Sequence, residues 1–267
     1  MLQEAPSWTE EVRRSFRDPR DLAAHLGIPL ADLPPLPSGT TFPFLCTRPF
    51  AARMRPGDPT DPLLAQVWPD AREDLRAEGE ADDPVGDRNA GCGSGVLRKY
   101  RGRVLLVASG ACAVHCRYCF RQNYGYGEEP RGPDRWDAVV RNIASDPSIR
   151  EAILSGGDPL SLTDSVVHGM VERLSSVPSL RTLRVHTRLP VVIPSRATAA
   201  LCDVLKGTRL RVAVVLHCNH PAELDAAVAG AVERLRDAGA TVLNQSVLLR
   251  GVNDSVDTLE SLSLSLW

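Results

Sequence analysis

An α/β fold with a parallel sheet is what this sequence predicts, and three observations predict it. From Lys99 onward, β-branched apolar runs fall at 103–109, 151–155, 182–187, 211–217 and 240–249. Segments of helical character separate them, a rhythm that gives parallel strands joined by right-handed crossovers. Cys112, Cys116 and Cys119 lie just past the first run, at a strand's C-terminal end, where such folds build their sites.

The elements follow in order. Residues 1–95 read as an irregular, partly helical extension, and 96–267 as the core. Ser15 to Gly27 reads as a short helix stopped by glycine. Pro29, Pro34, Pro35, Pro37, Pro43 and Pro49 argue for extended chain over a surface. Met54 to Trp68 reads as a turn-rich linker with one helical turn, and the acidic stretch from Glu73 to Asp87 as an exposed loop. In the core, helices are expected at 165–176, 196–206, 222–238 and 255–265. The third is the clearest: Pro221 opens it, Leu224, Val228, Val232 and Leu235 form its stripe, and Gly239 ends it. Asn253-Asp254 is placed to cap the last helix.

Composition sets bounds. A chain of 267 residues with 43% hydrophobic content can bury one sizeable domain plus an extension. A net charge of −2 gives no electrostatic basis for binding bare nucleic acid. No run of eighteen apolar residues suggests a membrane span, and the first residues do not read as a secretory signal. Seven cysteines, an odd number, point to reduced cytoplasmic thiols, some of them given to a metal or cluster. Cys46, Cys92, Cys202 and Cys218 have no cysteine near them in sequence and read as packing or loop residues. Of 31 basic residues only Lys99 and Lys206 are lysine.

The cysteine spacing is C-x3-C-x2-C, with Tyr118 before the third cysteine. No fourth cysteine lies near enough to complete a tetrahedral zinc site. Three soft thiolates suit a 4Fe-4S cluster with one iron open, and ordinary buried thiols are the alternative. Ser155-Gly156-Gly157-Asp158 follows the second strand. Its glycines allow close backbone approach and Asp158 offers an acceptor, although an isolated Gly-Gly-Asp reads first as an ordinary βα turn. Arg121, two residues past Cys119, offers a bidentate fork for a carboxylate, or is a surface arginine. Lys99 offers a point charge for a phosphate, or is a basic strand entry. His217 and Gln245 lie at the ends of the fourth and fifth strands.

Seven blocks in order carry a resemblance: Met54-Arg-Pro-Gly-Asp-Pro with Asp61-Pro-Leu-Leu, Lys99-Tyr-Arg-Gly-Arg-Val-Leu-Leu106, Cys112 to Arg121, Leu154-Ser-Gly-Gly-Asp-Pro-Leu160, His186 to Pro194, His217-Cys-Asn-His-Pro221 and Asn244 to Asp254. The sequence resembles the radical S-adenosylmethionine (SAM) lysine 2,3-aminomutase family, and within it the EpmB-type branch. That branch converts (S)-α-lysine to (R)-β-lysine for modification of translation elongation factor P. The resemblance implies a radical SAM partial (βα) barrel and an isomerase. It implies a 4Fe-4S cluster on Cys112, Cys116 and Cys119, with SAM near Ser155, Gly156, Gly157, Asp158, His217 and Gln245. It implies pyridoxal phosphate (PLP) at Lys99, Tyr100 and Arg103, where the family has arginine in place of Lys99. Arg121 would take the substrate's carboxylate.

The implied setting is cytoplasmic. Lysine is the substrate, elongation factor P and its lysyl ligase are functional partners, and a homo-oligomer is left open. The family continues past the block ending at Asp254. The resemblance places its sixth strand and its Schiff-base lysine beyond Trp267, so it assigns no catalytic residue within the chain. From Arg103 to Trp267 there are 165 residues, against roughly 250 for a closed eightfold barrel. The expectation is a barrel truncated after about five strands with an open edge, cleaving SAM without completing β-lysine formation. A free-lysine 2,3-aminomutase and a non-catalytic iron–sulfur or zinc module are the alternatives.

Overall fold

The computed structural model describes residues 6–39, 42–75, 78–93, 95–127, 129 and 132–266. The apolar runs form five parallel strands: β2 (Arg103–Ser109), β3 (Glu151–Gly156), β4 (Thr182–Thr187), β5 (Arg211–His217) and β6 (Thr241–Gln245). A short β1 (Val96–Leu97) pairs antiparallel with β2. The order across the sheet is β1-β2-β3-β4-β5-β6. Each crossover therefore advances one strand in the same direction, as in a barrel and unlike a doubly wound sheet with its reversal point. Among the described residues the sheet is open, with β1 and β6 at its edges.

The crossovers carry α4 (Pro133–Ala144), α5 (Asp164–Ser175), α6 (Leu189–Val192) with α7 (Ala199–Gly207), and α8 (Ala226–Asp237); α9 (Val256–Ser265) follows β6. None of the described helices is long and apolar enough to cross a membrane. One face of the sheet is dry. Val104, Leu106, Ala152, Leu154, Leu183, Val185, Val212, Val214 and Leu216 are all buried there. The other face is polar and only partly covered. On it Glu151 bridges Arg103 (3.3 Å) and Arg184 (2.6 Å) across three strands. His186 and His217 lie further along the same face. Two-residue alternation segregates the faces, although Ile153 and Val215 are buried on the charged side and Thr187 lies on the dry one.

Several expectations need correction. The helix within 15–27 is α2 (Pro19–Leu26), capped by Asp18 and ended by Gly27 at φ 68°. It is preceded by an unexpected α1 (Trp8–Arg13). The proline-rich stretch does not merely run over a surface: Phe44, Leu45 and Cys46 are buried and lead into α3 (Arg48–Ala51). Met54 to Trp68 is core rather than linker, with Met54, Leu63, Leu64, Val67 and Trp68 all buried. There the buried Asp61 carboxylate accepts from the Leu63 and Leu64 N–H groups (2.8 and 3.0 Å). The acidic loop is exposed along most of its described length, but it ends on Asp87, which is 2% exposed. The fifth strand stops at Gln245 rather than 249, because Ser246 and Val247 turn to bond Cys218 O and Asn219 Oδ1. The helix expected at 222–238 opens as a separate turn, Pro221–Glu223, and restarts where Asp225 accepts from Val228 N (2.8 Å). Ser255 caps α9 instead of Asn253-Asp254. Asn253 is buried and donates to Asn219 O and Val247 O.

Candidate functional site

The loop after β2 carries Cys112, Cys116 and Cys119, all free and half-buried. Two walls fix it. On one side its backbone meets the N-terminal region, where His115 N donates to Leu45 O (2.9 Å) and Arg117 N to Gln66 O (3.0 Å). On the other it meets the glycine turn, where Gly157 N donates to Ser109 O and Asp158 N to Ala111 O, both at 2.7 Å. That contact explains the glycines. A Cβ on Gly156, at φ 116°, would stand 2.5 Å from Ser109 O; one on Gly157 would stand 2.5 Å from Ala111 O. The turn's close backbone approach is thus to the cysteine loop itself.

Asp158 is buried, and its carboxylate oxygens accept from Leu160 N (2.9 Å), the Thr187 hydroxyl (2.7 and 2.9 Å), Arg188 N (2.7 Å) and Leu189 N (3.1 Å). It staples the turn after β3 to the turn after β4. Both oxygens are engaged within the protein. Burial pushes this carboxyl up, against the pull of its hydrogen bonds.

The thiols answer the chemistry of the donor set. Burial pushes the Cys112 thiol well above its ordinary value and raises Cys119 too, and each thiol lies within electrostatic reach of its neighbours. A bound metal deprotonates such soft donors as it ligates them. Among the described residues no three His, Cys, Asp or Glu side chains converge as a single-ion site requires. A cubane differs, because each thiolate binds its own iron. The three sulfurs on one loop fit that group.

Beside Cys119, Arg121 is buried. Its Nε donates to Asp87 Oδ2 (2.7 Å) and its Nη1 to Ser155 Oγ (3.0 Å). The ammonium of Lys99 lies 2.5 Å from Asp87 Oδ1 and 2.5 Å from Val85 O. One carboxylate thus joins the residue expected at a substrate carboxylate to the one expected at a phosphate. Sequence reasoning missed Asp87, which sits at the end of a run of solvated acids and gives no local sign of burial. Arg103 is paired with Glu151, and its guanidinium lies 5.9 Å from the ring of the exposed Tyr100. Both cations are thus paired with carboxylates, Lys99 with Asp87 and Arg103 with Glu151.

His217 pairs in register with Gln245, which is exposed. The His217 ring lies 5.6 Å from Tyr118, and its buried Nε2 has no partner among the described residues. The same holds for Nε2 of His186. Burial lowers both rings to about 4, so both are neutral near pH 7 and present a neutral nitrogen to the polar face.

A second set of residues was not apparent in the sequence. Arg188, buried after β4, donates from Nη1 to Cys116 Sγ and to the Tyr118 hydroxyl, both at 2.7 Å. From Nη2 it donates to Gln66 Oε1 (2.7 Å) and Glu223 Oε2 (3.0 Å). Glu223 Oε1 accepts from Gln66 Nε2 and from the Asn219 and His220 N–H groups. Asn219 donates to the Tyr118 hydroxyl at 2.7 Å. Proline spacing in His186 to Pro194 marks a turn, but nothing local marks the arginine within it as buried.

No protein-family profile matches the chain. It is similar to the L-lysine 2,3-aminomutase of Haemophilus influenzae, at 40% identity over 100% of this chain and 79% of that protein. It is similar to that of Escherichia coli, at 38% identity over 97% of this chain and 76% of that protein. A solved structure described as native anSMEcpe with bound AdoMet and Kp18Cys peptide superposes at a TM-score of 0.48 and 14% identity, over 61% of this chain and 47% of that one.

Proposed function

Because the chain belongs to the L-lysine 2,3-aminomutase family, we propose that it is a radical SAM isomerase acting on lysine, with its reactive centre on the cysteine loop. The observation that carries this reading is the meeting of three half-buried thiols with the buried, carboxylate-paired Arg121 at the C-terminal ends of β2 and β3. Cys112, Cys116 and Cys119 would hold a 4Fe-4S cluster. When bound, the cluster and SAM supply a carbon radical that abstracts hydrogen, and PLP supplies the carrier for the migrating amine.

The remaining work belongs to this chain's own residues. Arg121 offers guanidinium N–H groups to a carboxylate, with Asp87 and Ser155 fixing its plane. Lys99 and Arg103 offer positive charge to a phosphate. The neutral Nε2 atoms of His186 and His217 accept or donate one hydrogen bond each without adding charge. The Asp158 staple and the Gly156-Gly157 turn hold the cysteine loop against the sheet edge, with Ser155 beside Arg121. Loop and N-terminal wall together keep water from one side of the thiols. The free cysteines support a reducing, cytoplasmic setting. The product β-lysine is assigned to elongation factor P through its lysyl ligase, on the strength of the cysteine block's resemblance to the EpmB-type branch. A free-lysine enzyme is the second outcome, distinguished by whether the ligase accepts the product.

The test is anaerobic reconstitution with iron and sulfide, then addition of SAM and dithionite. Four irons per chain and release of methionine with 5′-deoxyadenosine are expected, both lost in Cys116→Ala. A wild-type chain that loads four irons yet leaves SAM intact refutes the radical SAM assignment.

A further inference from the structure

We propose that Arg188 is a positioning residue for the cluster: its N–H···S bond to Cys116 fastens the middle thiolate and raises the cluster's reduction potential. The inference rests on the cluster reading above and goes beyond it, since a ligand set alone does not set a potential. The geometry is specific. Arg188 is 6% exposed and Glu223 is 0% exposed. A buried guanidinium needs its charge balanced and its donors engaged; here Nη1 and Nη2 are engaged, while the buried Nε has no partner among the described residues. Glu223, Gln66 and Tyr118 would suffice as partners, and the Phe50 and Tyr118 rings add cation–π contacts at 5.1 and 5.7 Å. Yet Nη1 also reaches Cys116 Sγ at 2.7 Å. The backbone N–H of the same residue is held by Asp158 Oδ2 at 2.7 Å. Main chain and side-chain head are both pinned, so the donor cannot swing away from the sulfur.

The consequence follows from electrostatics. Reduction by an external one-electron donor adds one negative charge to the cluster, and part of that charge rests on the thiolate sulfurs. A charge-assisted donor strengthens as the acceptor gains charge, and hydrogen bonds to cluster sulfurs are among the levers that set potential. Glu223 offsets part of the arginine's charge. The directional N–H···S bond is therefore the larger lever, because it acts at the sulfur while the carboxylate sits on the other nitrogen.

The experiment is a dithionite titration of reconstituted full-length protein, followed by electron paramagnetic resonance, with iron counted on each sample. Arg188→Gln alone strands a buried carboxylate, so the deciding variant is the pair Arg188→Gln with Glu223→Gln, which leaves the network neutral. At four irons per chain its reduced-to-oxidised ratio at the wild-type midpoint should be about tenfold lower, a shift of about 59 mV for one electron. Tyr118→Phe, which keeps the N–H···S bond, should hold the wild-type potential. An unchanged potential in the loaded double variant overturns the proposal, as does an equal shift in Tyr118→Phe. Loss of cluster from the double variant with native circular dichroism overturns the claim on potential, because the contact would then serve only to hold the thiolate. A wild-type chain that takes up no iron removes the cluster reading itself, and the iron count reports that separately.

Discussion

His186 and His217 each carry a buried Nε2 without a partner among the described residues, and this makes the fold sensitive to acid. Burial is the main cause that holds both rings near 4, against about 6.5 in an unfolded chain. Between those values the unfolded chain binds more protons, so stability rises with pH there. The contribution is complete above pH 6.5 and is lost as pH falls toward 4. At pH 5 the loss is about 2 kcal/mol for each ring. The urea midpoint should therefore drop between pH 7 and pH 5, and the double variant His186→Gln/His217→Gln should flatten that slope. An equally steep slope in the variant would assign the acid sensitivity elsewhere. At this scale the sequence is readable where chemistry is local. Three cysteines within eight residues declare themselves, as does an arginine two positions later. Asp87 and Arg188 do not, because their partners lie 34 residues away at Arg121 and 35 residues away at Glu223. Only the fold creates those contacts.

The elements were legible in proportion to their periodicity. β4 and β5 coincide with the expected runs residue for residue, since short apolar stretches bounded by turn residues admit few other registers. α4 was not anticipated, although Trp136, Val139, Val140 and Ile143 repeat at helical spacing. The short antiparallel β1 has too few residues to show any period. The glycine turn reads differently in the structure, because sequence shows that a glycine permits close approach but not what approaches. Here it is Gly110-Ala111, the base of the cysteine loop. Gly157→Ala must displace that backbone, at a cost of about 1–3 kcal/mol, and should also weaken iron retention. Gly207→Ala at the end of α7 has open space around the new methyl and serves as the control, expected within about 0.5 kcal/mol of wild type. Melting curves of the two variants check the assignment. A Gly157→Ala melt that matches the Gly207→Ala melt would show that the turn has room to spare.

At the scale of the whole molecule the N-terminal region and the sheet share one continuous core. Phe16, Leu22, Phe50, Leu63 and Trp68 belong to the same buried cluster as Leu106, Leu154, Val185 and Val214. Polar ties cross the same boundary: the Thr47 hydroxyl donates to Val192 O (2.7 Å), Arg53 to Val191 O (2.5 Å), and Gln66 Nε2 to Glu223 (3.0 Å). Composition hid this, because 13 prolines and 16 acidic residues interrupt the first 95 positions and the apolar residues between them follow no single period. Phe50 is the sharpest probe. Its side chain is fully buried, and the Arg188 guanidinium lies 5.1 Å from its ring. Phe50→Ala should cost about 3–5 kcal/mol and move a single unfolding transition, with fluorescence and far-ultraviolet dichroism coincident. It should also loosen the cysteine loop, since Leu45 O and Gln66 O, which hold His115 N and Arg117 N, flank Phe50 in the chain. Iron retention under chelator should then fall in step with stability. An early transition confined to the N-terminal region, with iron still held by the remainder, would show that the region folds on its own and that the sheet alone positions the thiols.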